Sequence, residues 1–403
     1  MGCTSQSHND RQELTVRQDN QETAMVSADN PIDVWWNAFQ AKSADIGAMF
    51  SQKTAKDWDL PQWMQENLEQ IHPQLMWEFG PAVHTKGHRL VITPEARRDL
   101  RPLVDSILRR APKLSGWEFY GYRLPEDFDS TVLTVNGRSG GDVSNTSFHA
   151  SIGVFNKIDL SFVADGYSAN DQQALSDVFI AAESLLGEEV LDKWIGGIDV
   201  DAPPPKPRAG VFHIVDLKKQ VDTLIEQVRS GLPDQPYHRL PKEQQWTLFK
   251  LEPDELDDYP HQWDMFIGKT IIPEMWQNAH SNQPFDSLRF SKNGEVFCYI
   301  KIDGTEGLDE EKFADKAEIE DTLDGALRDA DVGCFIGGGT GLKYSYVDIV
   351  LTDLEGGASI VKRVLQEGNI PKRSWLLFFD TDLKARWIDI WDDAPPPPLP
   401  EFD

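Results

Sequence analysis

Apolar residues recur along the chain at two spacings, which predict a mixture of helices and strands. A repeat of three to four residues marks a helix, and alternation marks a strand. Helical spacing covers residues 30–39, 60–71, 94–108, 171–186, 215–228, 308–330 and 358–365. Strand patterns cover residues 75–83, 89–93, 116–122, 147–154, 157–164, 246–251, 288–290, 296–302, 334–336, 344–352 and 374–379. Elements mixed in this order predict an α+β fold.

Two local signals sharpen this pattern. Asn30, Pro31 and Asp33 supply a helix cap, a first-turn proline and a first-turn acid, so they predict a helix start. Asn293 and Gly294 form the dipeptide most typical of a two-residue hairpin turn. We therefore predict a hairpin that joins the strands at 288–290 and 296–302.

A proline-rich run, PPPKPR at residues 203–208, lies near the middle of the 403 residues. Proline lacks the backbone donor that helices and central strands need, so the run predicts an extended spacer. We predict two tandem modules, each an antiparallel or mixed sheet with helices packed on one face, with ferredoxin-like character as one possibility. The expected boundaries are a disordered segment at 1–29, domains at 30–201 and 211–392, a linker at 202–210, and a disordered Pro-rich tail at 393–403.

The charge of the chain is strongly acidic. Asp and Glu number 67 against 39 Lys and Arg, which gives a formal net charge of −28. Such a surface repels phosphate backbones and excludes nucleic acid as the expected partner, whereas it attracts a basic protein. Asp254, Glu255, Asp257 and Asp258 are the predicted partner-binding residues, because four acids in one short segment belong on an exposed loop.

Three cysteines, Cys3, Cys298 and Cys334, are too few for a disulfide framework and form no metal knuckle. Cys298 and Cys334 lie in apolar runs, so we expect buried thiols in a reducing, cytoplasmic compartment. No apolar run reaches the length of a membrane span. A lipid anchor through Cys3 is the alternative if the true start lies upstream. We expect no metal and no cofactor.

A glycine-rich segment consists of Gly337, Gly338, Gly339, Thr340 and Gly341. Glycine loops hold phosphates because their backbone N–H groups approach the ligand closely. A Walker A loop would continue with Gly-Lys-Ser/Thr, but Leu342, Lys343 and Tyr344 follow here. The segment therefore predicts a connecting loop between two strands, and ligand binding there is the alternative. No nucleophile elbow and no His-Glu-x-x-His motif occurs in the sequence.

The first module resembles an uncharacterised group of bacterial α+β proteins. The resemblance covers residues 32–200 and rests on the pattern of 73–91 with 103–122, the hairpin region 143–162, and a Leu-Gly-Glu segment at 185–189. It implies an α+β fold and a bacterial source, and it supplies no activity and no catalytic residue.

These observations favour a non-catalytic protein-binding function of the kind that immunity proteins and regulators have, in which an acidic surface engages a basic protein. The alternative is a small-ligand-binding or enzymatic module centred on the segment from Gly337 to Gly341.

Overall fold

The computed structural model describes residues 17–18, 30–51, 59–169, 171–203 and 210–400. Its helices are α1 (Pro31–Ser51), α2 (Leu60–Leu68), α3 (Arg101–Arg109), α4 (Phe128–Ser139), α5 (Gln172–Leu186), α6 (Glu188–Trp194), α7 (Leu217–Gly231), α8 (Pro273–Ala279), α9 (Lys316–Asp329) and α10 (Leu354–Glu367). Its strands are β1 (Arg17–Gln18), β2 (Met76–Pro81), β3 (His88–Thr93), β4 (Trp117–Tyr120), β5 (Ser147–Ile152), β6 (Ile158–Val163), β7 (Ile195–Asp201), β8 (Val211–His213), β9 (Thr247–Lys250), β10 (Met265–Thr270), β11 (Val296–Asp303), β12 (Gly333–Gly341), β13 (Tyr344–Leu351), β14 (Ser374–Phe378) and β15 (Arg386–Asp389). The predicted α+β class is confirmed.

The chain forms two compact units, and their boundary differs from the predicted one. The N-terminal unit comprises 23–233 and 288–292, and the remaining residues form the C-terminal unit. Strand β8 and helix α7, which we assigned to the second domain, complete the first unit, since β8 pairs with β5 and α7 buries Leu217 and Val221 in its core. Most of the predicted linker, 204–209, lies outside the described residues.

The N-terminal unit contains two small mixed sheets rather than the single predicted sheet. Strands β2, β3 and β4 form one sheet, packed with α1, α2 and α3 around an aromatic core that includes Trp35 and Phe39. Strands β7, β6, β5 and β8 form the other, whose core includes Phe148, Phe162 and residues of α4, α5 and α7. The first sheet has one antiparallel pair and the second has two, and each also has one parallel pair formed across a helical crossover.

The Leu-Gly-Glu segment at 185–189 has a structural role in this unit. Glu188 is buried and accepts hydrogen bonds from Thr93 Oγ1 at 2.6 Å, from Arg101 Nη2 at 2.7 Å and from the backbone N–H of Arg123 at 2.9 Å. Gly187 has a φ of +79°, a conformation that glycine adopts without strain. The segment therefore anchors α6 through one buried carboxylate.

The C-terminal unit is built on an eight-stranded antiparallel sheet of order β1-β15-β14-β11-β13-β12-β10-β9. Its centre follows the chain order β11-α9-β12-β13-α10-β14, and the spatial order β14-β11-β13-β12 is that of a ferredoxin-like βαββαβ unit. Helices α9 and α10 pack on one face, where Ile300, Val347 and Leu376 form the centre of the core. The predicted one-sided helical layer and ferredoxin-like character are both present in this unit.

The predicted hairpin across Asn293 and Gly294 is wrong. Ser287–Arg289 is a 3-10 turn, and β11 pairs with β13 and β14. Leu288 packs in the core of the N-terminal unit, and Asn156 Nδ2 donates to the Arg289 carbonyl at 2.8 Å. Tertiary packing therefore overrides the local turn signal.

The C-terminal end of the chain also differs from expectation. Residues 393–400 are ordered in the C-terminal unit, since Trp375 Nε1 donates to the Pro395 carbonyl at 2.7 Å and Pro397 is buried. Residues 401–403 lie outside the described residues. The same holds for the predicted disordered segment 1–29, Cys3 included, apart from Arg17–Gln18, which pair with β15.

Candidate functional site

The face of the C-terminal sheet opposite α9 and α10 carries polar residues at its centre. Alternate side chains of a strand point to opposite faces, so the neighbours of core residues Cys298, Ile300 and Val347 point away from the helices. In register, Tyr299 lies opposite Asp348, and Lys301 lies opposite Tyr346. All four side chains are buried. We call this surface the polar face.

Asp264 links its own chain segment, which leads into β10, to the polar face through hydrogen bonds. Its carboxylate accepts hydrogen bonds from the backbone N–H groups of Lys343 and Tyr344, both at 2.8 Å, and from the Tyr346 hydroxyl. The residue is fully buried. A Cβ atom at Gly341 would lie 2.3 Å from the Asp264 carboxyl carbon. Glycine at 341 therefore makes the space in which this carboxylate sits.

The glycine-rich segment is a strand, so the predicted connecting loop is wrong. Gly337, Gly338, Gly339, Thr340 and Gly341 form the end of β12, which pairs with β10 on one edge, and the first four also pair with β13 on the other. Sheet pairing occupies the backbone groups that a phosphate cradle would need to present. At its glycines the neighbouring atoms leave no room for a side chain, as the Met265 thioether does at Gly339.

The acidic segment divides into exposed and half-buried residues. Asp254, Glu255 and Asp257 are exposed, as predicted. Asp258 is half-buried, so its predicted exposure is wrong. It accepts from the Tyr344 hydroxyl at 2.6 Å and from Arg373 at 2.8 Å. Burial raises the pKa of Asp258, but the Tyr344 hydroxyl, the Tyr259 N–H and Lys343 outweigh that effect and hold the pKa at about 2.

Lys301 is another buried residue of the polar face, and its amine is bound within the protein. Its ammonium donates to the Tyr259 carbonyl and lies 4.0 Å from the centre of the Tyr344 ring. Burial lowers the pKa of Lys301 to about 7, while Asp264 and Asp258 counteract that effect. The amine is engaged inside the protein, so its arrangement is that of a structural group.

A cavity of about 640 Å³ opens beside the hydrogen-bond network of Asp264, Asp258 and Lys301. Apolar and polar residues contribute to its wall in about equal numbers. The wall includes Leu251, Leu256, Trp263, Met265, Phe378 and Phe379, with His261, Gln262, His280, Tyr299 and Lys384 as polar members and Glu252 and Asp254 on the acidic segment. Volume and composition are those of a small-molecule or side-chain binding site.

Two histidines of this wall have one ring nitrogen engaged and one without a partner. His280 Nδ1 lies 2.9 Å from the Trp276 carbonyl, and its ring stacks on Trp276 with the ring centres 3.8 Å apart. His261 Nδ1 lies 3.2 Å from the Tyr299 hydroxyl. The Nε2 atoms of both rings are inaccessible to solvent, and neither has a hydrogen-bond partner among the described residues. Burial lowers the pKa of His261 to about 3 and that of His280 to about 4, so both rings are neutral.

Asp348 lies behind the cavity wall. Gln262 Nε2 donates to the Asp348 Oδ1 atom at 2.9 Å, and in the part of the chain that the structure describes the Oδ2 atom has no partner. Burial raises the pKa of Asp348 to about 7, and Gln262 only partly offsets that effect. The folded protein therefore holds a proton on this carboxyl in a pH range where an exposed aspartate is ionised.

This raised pKa predicts a pH-dependent stability difference between the wild type and Asp348→Asn, a variant that never ionises. Between pH 4 and pH 7 the unfolded chain loses the Asp348 proton while the folded chain keeps it. The free energy of unfolding of the wild type should therefore fall relative to that of the variant, by at least about 2 kcal/mol. Urea unfolding at a series of pH values measures the difference, and other groups cancel in it. A difference that stays constant with pH would contradict the prediction.

Sequence reasoning named Asp254, which lines the cavity, and Asp258, which belongs to the hydrogen-bond network, but it missed the other polar residues of this site. Asp348 and Lys301 each interrupt an apolar strand run, and a charge inside such a run was the available signal. His261, Gln262 and Asp264 lie in a segment without periodicity, and their partners are distant in sequence. Cys298 and Cys334 are buried and unpaired, as predicted.

Two further classes of feature are lacking in the part of the chain that the structure describes. No three His, Cys, Asp or Glu side chains come together there as ligands for a metal ion. No helix there combines the length and the apolar character needed to cross a bilayer. Comparison with known proteins gave no match to a family model, to a curated protein or to a solved structure, so the resemblance of residues 32–200 stays a prediction.

Proposed function

We propose that this protein is a non-catalytic binding protein that engages a basic protein partner at the mouth of the cavity. The observation that carries the proposal is the combination of acids and exposed apolar side chains at one place. Glu252, Asp254, Leu256 and Trp263 all line the same cavity. We call these residues, with Glu255 and Asp257, the acidic rim.

The composition of the acidic rim suits protein recognition. Trp263 exposes 55% of its surface and Leu256 exposes 49%. Protein interfaces place such side chains, tryptophan above all, at the centre, with charged residues around them. The surrounding acids and the net charge of −28 select a basic partner and raise its association rate.

The internal hydrogen bonding of the polar face supports a non-catalytic function. Asp264, Asp258 and Lys301 direct their charged groups at partners within the protein. The two buried thiols fit a reducing, cytoplasmic compartment, in which an immunity-like or regulator-like role is the kind we propose. Attachment through a lipid on Cys3 remains the alternative location.

A charge-reversal variant tests the proposal. A basic peptide is first selected on the immobilised wild-type protein from a random displayed library. The variant Asp254→Lys, Glu255→Lys, Asp257→Lys should then bind that peptide with an association rate lower by about tenfold or more at low salt, because steering is lost. Stopped-flow fluorescence of Trp263 measures the rate. Asp258 is left intact because its ion pair with Arg373 supports the fold.

The matched control reverses three other acids of the same unit, Glu306, Glu310 and Glu311, which are also exposed. This control changes the net charge equally, so its association rate should stay within about twofold of the wild-type rate if steering is local to the acidic rim. Equal rates for the rim variant and the wild type would refute the proposal. Selection of neutral or acidic peptides would refute it as well.

A further inference from the structure

Strand β9 forms one end of the eight-stranded sheet. It pairs with β10, and its other edge has no pairing partner in the part of the chain that the structure describes. The N–H and C=O groups along such an open edge are a template on which another strand can pair. Peptide-binding domains use open edges of this kind to hold an extended segment of a partner.

The register identifies the backbone groups of β9 that point outward. The Leu251 N–H donates to the Phe266 carbonyl at 3.0 Å, and opposite residues of an antiparallel ladder alternate between pairs that exchange such bonds and pairs that do not. Phe249 therefore bonds to β10 as Leu251 does, whereas the N–H and C=O groups of Leu248 and Lys250 point to the open edge. Among the described residues, these outward groups have no hydrogen-bond partner.

The open edge also carries exposed apolar side chains. Leu248 exposes 69% of its surface, and the preceding Trp246 exposes 39%. Leu248 lies opposite Lys269 in the register, and Lys269 pairs with Glu320 of α9, so Leu248 is on the face of the sheet that carries the helices. A strand added to this edge would cover Leu248 with every second side chain on its own helix-side face.

The charge next to β9 selects the occupant of the edge. The chain runs from Lys250 directly into Glu252, Asp254 and Glu255, all of which are exposed members of the acidic rim. An added strand that extends past Lys250 would meet these carboxylates, which favour basic side chains. A second copy of this chain would instead bring its own net charge of −28 and its own acidic rim, so like charges oppose pairing of two β9 strands.

We infer that β9 binds an extended segment of the basic partner as a ninth, antiparallel strand. This inference rests on the proposed function and adds the way in which the partner is held. The described pairs of this sheet are antiparallel, and an antiparallel strand would place its N-terminal side beside the residues that follow Lys250. The segment therefore has basic residues first and β-branched apolar residues after them, with the apolar ones opposite Lys250 and Leu248.

A designed peptide of sequence Lys-Lys-Lys-Thr-Val-Thr-Val, acetylated and amidated, tests the inference on the unaltered protein. In the inferred register its valines exchange backbone bonds with Lys250 and Leu248, and its threonine N–H groups point away from β9. Methylation of both valine nitrogens should lower the affinity at least about tenfold, because two donors to β9 are lost. Methylation of both threonine nitrogens, with the same side chains and charge, should change it by less than about twofold. Isothermal titration calorimetry measures the affinities.

Equal affinities of the two methylated peptides would overturn the inference, as would absence of binding by the unmodified peptide. Hydrogen exchange of the Leu248 and Lys250 amides should also slow at least about tenfold when the peptide binds, since both become donors to it. Unchanged exchange would contradict strand addition. Slow exchange without peptide that depends on protein concentration would overturn the inference in another way, because a second copy would then occupy the edge.

Two variants locate the edge. Leu248→Pro removes an N–H that points outward, at a kind of position where edge strands tolerate proline, and should lower affinity for the unmodified peptide at least about tenfold. Leu248→Thr keeps that N–H and should bind the peptide more tightly than Leu248→Pro does. Equal binding by both variants would contradict the inference. If the proline variant fails to fold, the comparison of the methylated peptides on the wild type still decides.

The same comparison separates this inference from the proposed function. Charge reversal of Asp254, Glu255 and Asp257 tests recognition of a basic partner, and the methylated peptides test strand addition at constant charge. If charge reversal slows association of the selected basic peptide while both methylated peptides bind equally, the acidic rim recognises its partner without strand addition. That result would overturn this inference alone.

Discussion

Replacement of Asp264 by alanine is expected to lower the free energy of unfolding of the C-terminal unit by about 3 kcal/mol or more, since each buried group left without a partner costs about 1–3 kcal/mol. The change removes the shared acceptor of the Lys343 and Tyr344 N–H groups and of the Tyr346 hydroxyl. Lys301 also loses a compensating charge. Hydrogen exchange of β13 amides measures the effect within this unit.

Asp257→Ala is the matched control, because it removes an exposed carboxylate from the same segment. Its effect on the free energy of unfolding should stay within about 0.5 kcal/mol, as is usual for surface substitutions. Similar protection of β13 amides in Asp264→Ala and in the wild type would show that the backbone rearranges to satisfy these groups without the carboxylate.

Replacement of Glu188 by alanine should lower the free energy of unfolding of the N-terminal unit by about 3–5 kcal/mol, because it leaves the buried Arg101 guanidinium undercompensated. Asp192 remains as a partner of Arg101 at 2.6 Å, while Thr93 and the Arg123 N–H lose their acceptor. Hydrogen exchange of β3 amides reports the loss.

The neighbouring Glu189 provides the control. It forms an exposed pair with Lys193 at 2.8 Å, and such pairs contribute at most about 1 kcal/mol. Equal effects of Glu188→Ala and Glu189→Ala would mean that the buried cluster contributes no more than a surface ion pair.

Periodicity predicted the elements whose apolar residues face a core on one side. Helix α5 and the β5–β6 hairpin follow the predicted ranges closely for this reason. Helix α4 was missed because it buries only Thr131 and Val135, which is too few for a visible stripe. Its Asp127 cap and the Gly140 at its end were the available boundary signals.

The glycines of β12 led to a wrong prediction, because a run that is typical of loops forms part of a central strand. Four glycines that favour loops in isolation form ladder pairs because neighbouring strands approach closely where side chains are absent. Local preference cannot reveal this, since it depends on Asp264 and Met265 lying against Gly341 and Gly339. The candidate site could not be predicted from the sequence for the same reason, because its side chains come together only in the folded sheet.

The excursion of residues 288–292 into the N-terminal unit constrains the order in which a ribosome can complete each unit. Synthesis from the N-terminus delivers 23–233 first, but Leu288 and the acceptor of Asn156 emerge only after much of the other unit has been made. Strand β1 leaves the ribosome early, but its pairing partner β15 is synthesised only near the other end of the chain. Contacts so distant in sequence form late. Each unit therefore becomes complete only after a segment that is distant in sequence has left the ribosome. An expression clone cut at 202–210 would encode two halves, each of which lacks part of its folded unit.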